Sequence, residues 1–305
     1  MEIKRIIDVV REQYIKANCF KFLTFLSPKL NTKVVYYDRL HKRVNLKNPQ
    51  NLNEKIQWMK LYYYPKNDLV IQCADKLRVR DYVIDCGCEE ILNELYSVYD
   101  DVSEIDWKKL PNQFVIKSNT GCGCNFVCHD KSQFDEHQVI KRIKKWKKRK
   151  EWLVHSEMHY DKIPRKLICE KYLNDGTGLQ PIDYKIYCFG GKPLYIMACI
   201  GREKGHPKFY IFDRNWNIMP FNKTGKEAPK DLKISRPQCL DELFKYAEIL
   251  SKPFPFVRAD FYDINGKAIF GELTFTPCAG LDAGRLPETD LYFGSLVNLP
   301  QKRRK

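Results

Sequence analysis

Val257–Gly280 reads VRADFYDINGKAIFGELTFTPCAG. Two runs of alternating apolar residues flank Asn265-Gly266, which marks them as the strands of a β-hairpin. Arg258, Asp260 and Glu272 lie inside those runs, where an isolated buried charge costs roughly several kcal/mol. Alternate residues of a strand share a face, so Phe256, Arg258, Asp260 and Tyr262 go one way and Val257, Ala259 and Phe261 the other. Register decides whether Glu272 joins the first set. A two-residue loop pairs Ile264 with Lys267 and sets Asp260 and Glu272 on opposite faces. A three-residue loop over 264–266, with Gly266 left-handed, pairs Asp263 with Lys267, Asp260 with Phe270 and Arg258 with Glu272. The three-residue loop is expected, because it gathers the charges on one face. Two carboxylates there suit a hard cation such as Mg²⁺. The plainer alternative is an Arg258–Glu272 ion pair with Asp260 solvated.

Three other stretches carry charge into apolar strands. FVIKSNTGCGCN puts Lys117 on a strand ahead of a loop with Gly121 and Gly123, whose exposed N–H groups suit phosphate. No Gly-Lys-Ser/Thr follows, so it is not a Walker loop. LICEKYLNDG holds Glu170 and Lys171, and PIDYKIYCFGGK holds Asp183 and Lys185 on one face. Buried lysines are rare unless paired, and several together point to a shared polyanion.

The rest of the chain sets the frame. It has 305 residues, 44% of them apolar, and a net charge of +15. That length supports one large domain or several lobes, and the charge argues for an acidic partner. No apolar run approaches 18 residues and no signal-peptide pattern opens the chain, so a cytoplasmic protein is expected, its twelve cysteines read as thiols. Helices are expected in one or two pieces over 1–30, ending before Pro28, and over 51–64, 74–84, 135–152 and 240–250. Strands are expected over 114–118, 166–173, 184–189, 194–200, 209–213, 256–263 and 268–275. Helices and antiparallel strands that do not alternate regularly make the fold class α+β. The basic run KRIKKWKKRK over 141–150 reads as a solvated helical face, with docking to an acidic glycan or anionic lipid next; no DNA or RNA module is legible. The N-terminal helices could lie on a membrane surface. Cys122, Cys124 and Cys128, like Cys86 and Cys88, lack zinc-knuckle spacing. Arg202, His206 and Lys208 are weighed as contacts to an anionic substrate against a solvated loop.

The order of these motifs resembles the ATP-grasp superfamily, and most closely its TupA-like branch of bacterial surface-polysaccharide synthesis. NEKIQWMKLYY, CADKLRVRDYV, LPNQFVIKSNTGCGCNFVCHDKS, DYKIYCFGGK and the opening hairpin carry the likeness over about 45 to 295. The resemblance implies that Lys76, Lys117 and Lys185 hold ATP phosphates and that Gly121 and Gly123 belong to the loop closing over them. It implies that Glu170, Lys171 and Leu173 form the hinge strand reading adenine. Asp260 and Glu272 match the magnesium ligands, and Arg258 the arginine near the transferred phosphoryl group. Thr274 stands where many members carry Asn, and its hydroxyl can also ligate magnesium.

The expected architecture is a helical N-terminal segment (1–73), a central lid (74–169) and a C-terminal catalytic lobe (170–305), with ATP between the last two. The implied chemistry is a carboxylate–amine ligation through an acyl phosphate, joining an amino acid or amine to a uronic-acid unit of a polysaccharide precursor. A cytoplasmic location is expected, at the inner face of an anionic membrane, with no specific nucleic acid. The rivals are a glycosyltransferase, against which the lack of a D-x-D motif speaks, a kinase on the same fold, and a non-catalytic basic scaffold.

Overall fold

The computed structural model describes residues 2–177, 180–201 and 205–301, with side chains from residue 12 onward. Arg202 therefore lies outside the described residues. Helices α1 (Glu2–Leu26), α2 (Pro28–Leu40), α3 (Leu52–Tyr62), α4 (Asp68–Ala74) and α5 (Val79–Asp85) come first. A four-stranded antiparallel sheet follows, built from β1 (Leu95–Tyr99), β2 (Phe114–Ser118), β3 (Asn125–Cys128) and β4 (Leu167–Lys171) in the order β1-β4-β2-β3. Helix α6 (Glu136–Lys148) packs on it through Val139, Ile143 and Trp146. The six-stranded sheet runs β10-β9-β5-β6-β7-β8. Its strands are β5 (Asp183–Phe189), β6 (Lys192–Ile200), β7 (Lys208–Phe212), β8 (Ile218–Met219), β9 (Phe256–Ile264) and β10 (Lys267–Thr274), joined by α7 (Lys223–Lys226) and α8 (Leu240–Ser251) and followed by α9 (Pro287–Ser295).

Helix α8 buries Leu240, Leu243, Phe244, Ala247 and Leu250, a helical stripe that covers one face of the large sheet. Val257, Ala259 and Phe261 of β9 are fully buried in that core. The opposite face of the same strands is left for the polar residues.

Four sequence expectations need correction. Asn265 (φ 53°) and Gly266 (φ 79°) form a two-residue turn, and Lys267 pairs with Ile264, so the three-residue loop is wrong. The carboxylates still meet, by a different route. After Phe270 pairs with Phe261, the register slips by one at Gly271, and Glu272 falls opposite Asp260. Gly271 is a β-bulge, and a Cβ there would stand 3.0 Å from the Asp260 carbonyl oxygen. A glycine inside a strand was the available signal.

Second, 74–84 is not one helix. The Asp75 carboxylate accepts the Leu77 N–H at 2.9 Å, a side-chain turn that ends α4 and leaves Lys76 partly buried in the break between α4 and α5. Third, α6 stops at Lys148, because the Arg165 guanidinium takes the carbonyls of Trp146 (2.6 Å), Lys147 and Arg149. Fourth, Pro28 does not close the helical segment. It begins α2, with Ser27 capping the Leu30 N–H.

Candidate active site

Strand pairing builds the site. Lys185 of β5 lies opposite Asp260 of β9, and Asp260 opposite Glu272 of β10, so the three share one face and one row across three strands. Arg258 and Thr274 form the next pair on that face. Asp260 is almost fully buried, and its two oxygens receive Arg258 Nε and Nη2 at 2.7 Å each and Lys185 Nζ at 2.8 Å. Arg258 thus pairs along its own strand with Asp260 rather than across to Glu272, and Asp260 is not solvated. Lys185 also reaches Asp183 at 2.5 Å.

Glu272 is half-buried at the edge of this cluster. Lys76 Nζ lies 2.9 Å from its carboxylate, and the Thr274 hydroxyl donates to it at 3.1 Å. Burial opposes ionisation of Glu272, yet Lys76, Lys185 and Arg258 hold it well below the usual carboxylate range. Burial dominates at Asp260 and pushes it upward against the pull of Arg258 and Lys185. Lys76 and Lys185 are both raised, their carboxylate partners outweighing burial.

The glycine loop enters from the smaller sheet. Buried Asn119 anchors its base by bonds to Asp75, the Pro164 carbonyl and the Lys166 N–H. Gly121 (φ 73°) and Gly123 (φ 71°) are left-handed and exposed, and the Gly121 carbonyl accepts Lys76 Nζ at 2.8 Å. Lys76 therefore ties the loop to Glu272 of β10. Lys117 and Glu170 are joined at 2.6 Å on the face of the smaller sheet turned away from α6, with Arg80 at 3.6 Å. Lys171 points to the other face and pairs with exposed Glu94 at 3.3 Å, and Leu173 lies beyond the end of β4.

A cavity of about 920 Å³ opens beside Lys76, Arg258, Glu272 and Thr274. Its floor is a turn that motif reading did not single out. Cys278 (φ 51°), Ala279 (φ 56°) and Gly280 (φ 69°) are left-handed in succession, a conformation costing non-glycine residues about 1 kcal/mol or more each. Gln57 Nε2 donates to the Ala279 and Gly280 carbonyls at 2.9 and 2.8 Å, and buried Lys60 reaches Ala279 O at 3.3 Å. A Cβ on Gly280 would meet Ile56 at 2.8 Å. Burial depresses the Lys60 ammonium to about 8. Gln57 and Lys60 share α3 with buried Asn53 and Glu54, so their spacing alone does not single them out.

Hard oxygen donors suit magnesium, and the side-by-side carboxylates with the Thr274 hydroxyl form such a set. Among the described residues no three His, Cys, Asp or Glu side chains gather as a metal-binding group. A cation at this face would draw its remaining ligands from phosphate and water.

A family model described as TupA-like ATPgrasp matches residues 54–298, four-fifths of the chain. The chain belongs to the TupA-like ATP-grasp family. Its two antiparallel sheets with a mainly helical N-terminus are the α+β ATP-grasp fold. Solved structures similar to this TupA-like protein include D-alanine–D-alanine ligase from Bacillus anthracis in complex with ATP, at 14% identity and TM-score 0.42, covering 74% of this chain and 62% of that one. The Helicobacter pylori D-alanine–D-alanine ligase matches at 15% and 0.43, over 82% and 70%. N5-carboxyaminoimidazole ribonucleotide synthetase from Thermus thermophilus matches at 12% and 0.37, over 70% and 48%. The TupA-like chain thus spans less than two thirds of the Bacillus enzyme's length. Comparison with curated proteins returned no match.

Proposed function

We propose that the protein is an ATP- and Mg²⁺-dependent carboxylate–amine ligase acting through an acyl phosphate, joining an amino acid or amine to a uronic-acid carboxylate of a capsule or cell-surface polysaccharide precursor. The observation that carries the reading is the row Lys185–Asp260–Glu272 with Lys76 and Arg258 beside it, next to a cavity large enough for an acceptor. Phosphoryl transfer asks mainly for positioning and charge neutralisation, and this face offers both.

In this reading Asp260, Glu272 and Thr274 would hold magnesium. The ion, when bound, neutralises phosphate oxygens and orients them. Lys76, Lys117 and Lys185 release their carboxylate partners in part and bind phosphates instead. Gly121 and Gly123 let the loop close, and Glu170, Lys171 and Leu173 border the adenine. Arg258 is the catalytic cation that follows the phosphoryl group as charge redistributes, with Lys185 beside it. The acceptor carboxylate attacks the γ-phosphorus and ADP leaves. The amine nitrogen then attacks the acyl carbon, phosphate departs and the nitrogen loses a proton, leaving an amide. The +15 charge supports an acidic acceptor and a cytoplasmic place at an anionic membrane surface.

Purified protein with ATP and magnesium, screened over sugar acids against amino acids, should release ADP only when both partners are present. Release that needs a hydroxyl compound and no amine would make it a kinase. Consumption of a nucleotide-sugar without ATP would make it a glycosyltransferase.

A further inference from the structure

We infer that the α1–α2 hairpin is a docking surface for an anionic phospholipid bilayer, and that it holds the acceptor cavity one helix layer from that bilayer. The inference deepens the membrane placement proposed above and rests on that reading only for the identity of the acceptor.

The hairpin has two unlike sides. One is fastened to the body by a buried polar cluster. The Thr24 hydroxyl donates to Leu153 O at 2.6 Å, and Asn31 Nδ2 reaches Val154 O and Ser156 Oγ at 3.0 Å each. Val35 and Tyr36 add a small core with Leu281. The other side is apolar and bare. Tyr14, Ile15, Phe22, Phe25, Leu26, Leu30, Val34 and Tyr37 are exposed, Phe25 by 70%, and they make up most of the large exposed hydrophobics among the described residues. Leu30, Val34 and Tyr37 recur at helical spacing on α2, and Ile15, Phe22 and Leu26 on α1, so each set forms a stripe. Apolar area concentrated in this way marks an interaction surface rather than ordinary exposure.

Charge selects the occupant. Lys16 pairs with Asp38 and Lys21 with Glu151, whereas Lys29 and Lys33 are exposed beside the α2 stripe, with no Asp or Glu between residues 13 and 37. Aromatic and leucine side chains flanked by lysines match a helix lying in the headgroup region of an anionic membrane. A second copy of the same face would set Lys29 and Lys33 against their own kind. No helix among the described residues is long and apolar enough to cross a membrane, so the hairpin would lie on the surface. Lys16, Phe20 and Arg39 of the same two helices wall the 920 Å³ cavity beside Arg258 and Glu272. Those cavity residues lie on the side of the helices opposite the exposed stripe, so docking by the stripe sets the cavity one helix layer, roughly 10 Å, from the bilayer.

The test is co-sedimentation of the full chain with vesicles of phosphatidylcholine alone or with one quarter phosphatidylglycerol, together with its sedimentation velocity in solution. The expected result is binding to the anionic vesicles, at least about tenfold weaker to neutral ones. The triple change Phe22→Ser, Phe25→Ser, Leu26→Ser should lower anionic-vesicle binding at least tenfold, and Lys29→Gln with Lys33→Gln should flatten its salt dependence, both with an unchanged melting temperature. Wild-type protein that ignores anionic vesicles overturns the inference, and that outcome needs no variant. So does a wild-type dimer that the triple change turns into monomer, which would make this face a contact between copies. The assay contains no ATP, so loss of the ligase reading leaves its outcome intact.

Discussion

The polar face of the six-stranded sheet and the basic helix α6 both concentrate positive charge, but only one of them uses each charge in a defined pair. On the sheet, Lys185 and Arg258 are buried against Asp260, and Lys76 meets Glu272 at 2.9 Å. On 141–150 eight cations crowd ten residues with no carboxylate among them. There Val139, Ile143 and Trp146 anchor the helix and most lysines stand in water; Lys147 does find Asp101 at 2.9 Å, and that lysine holds the exposed Asp101 carboxyl down to about 2. Screened surface pairs of that kind add little, whereas a buried pair broken on one side leaves a desolvated charge behind. Density of charge is therefore a poor guide to the site, and burial with partners is a good one.

The largest expected effects follow from breaking the buried pairs. Asp260→Asn and Glu272→Gln should each lower ATP turnover by about a thousandfold or more, measured as ADP release. Their stabilities should separate. Asp260→Asn strands Arg258 and leaves Lys185 with Asp183 alone, and should cost about 3 kcal/mol in denaturant melts. Half-exposed Glu272→Gln should cost about 1 kcal/mol or less. Equal stability losses, or near-normal activity in both, would dissolve the distinction drawn between the two positions.

The second effect is on pH. His159 is fully buried with both ring nitrogens lacking partners, and burial, aided by Lys60, pushes it down to about 3. His155 is pushed down to about 4 by burial and by Lys60 and Arg39. The unfolded chain protonates both near pH 6.5 while the folded chain does not. Their contribution is thus intact above 6.5 and is lost as pH falls toward the folded values, by up to about 1.4 kcal/mol per pH unit for each. Glu157, raised by burial, works in the opposite direction nearby. Melts from pH 7 to 4.5 should fall in stability, and His159→Phe should flatten the fall. An unchanged slope would mean that His159 is protonated in the fold.

Much of this was legible in the sequence, and the failures have physical causes. Charged residues at alternating strand positions revealed the polar face, because period-2 geometry leaves few ways to satisfy them. Which residue lies opposite which was missed: the bulge at Gly271 shifts the ladder by one, and its only trace in the sequence is a glycine inside a strand, which alternation does not weigh. The same limit hid the break at Asp75, whose carboxylate competes with helix through a local bond. It also hid the floor of the cavity, since Gln57 and Lys60 act on a turn more than 200 residues away. Long-range bonds of that kind leave no periodic trace.

The smallest effect belongs to α6. Neutralising Lys144, Lys145, Lys147 and Lys148 to glutamine should raise KM for an acidic acceptor severalfold and flatten its salt dependence, leaving kcat in place. A selective collapse of kcat would move this helix from the solvated side of the comparison to the reacting side.

The central claim is that the buried face activates a carboxylate by phosphorylating it. Hydroxylamine, supplied in place of the amine with ATP, magnesium and an acidic sugar, tests it most directly. A mixed anhydride sheltered from water should be trapped as a hydroxamate in one-to-one step with ADP, and Glu272→Gln should abolish both. ADP appearing with phosphate fixed stably on a hydroxyl, and no hydroxamate, would contradict the account.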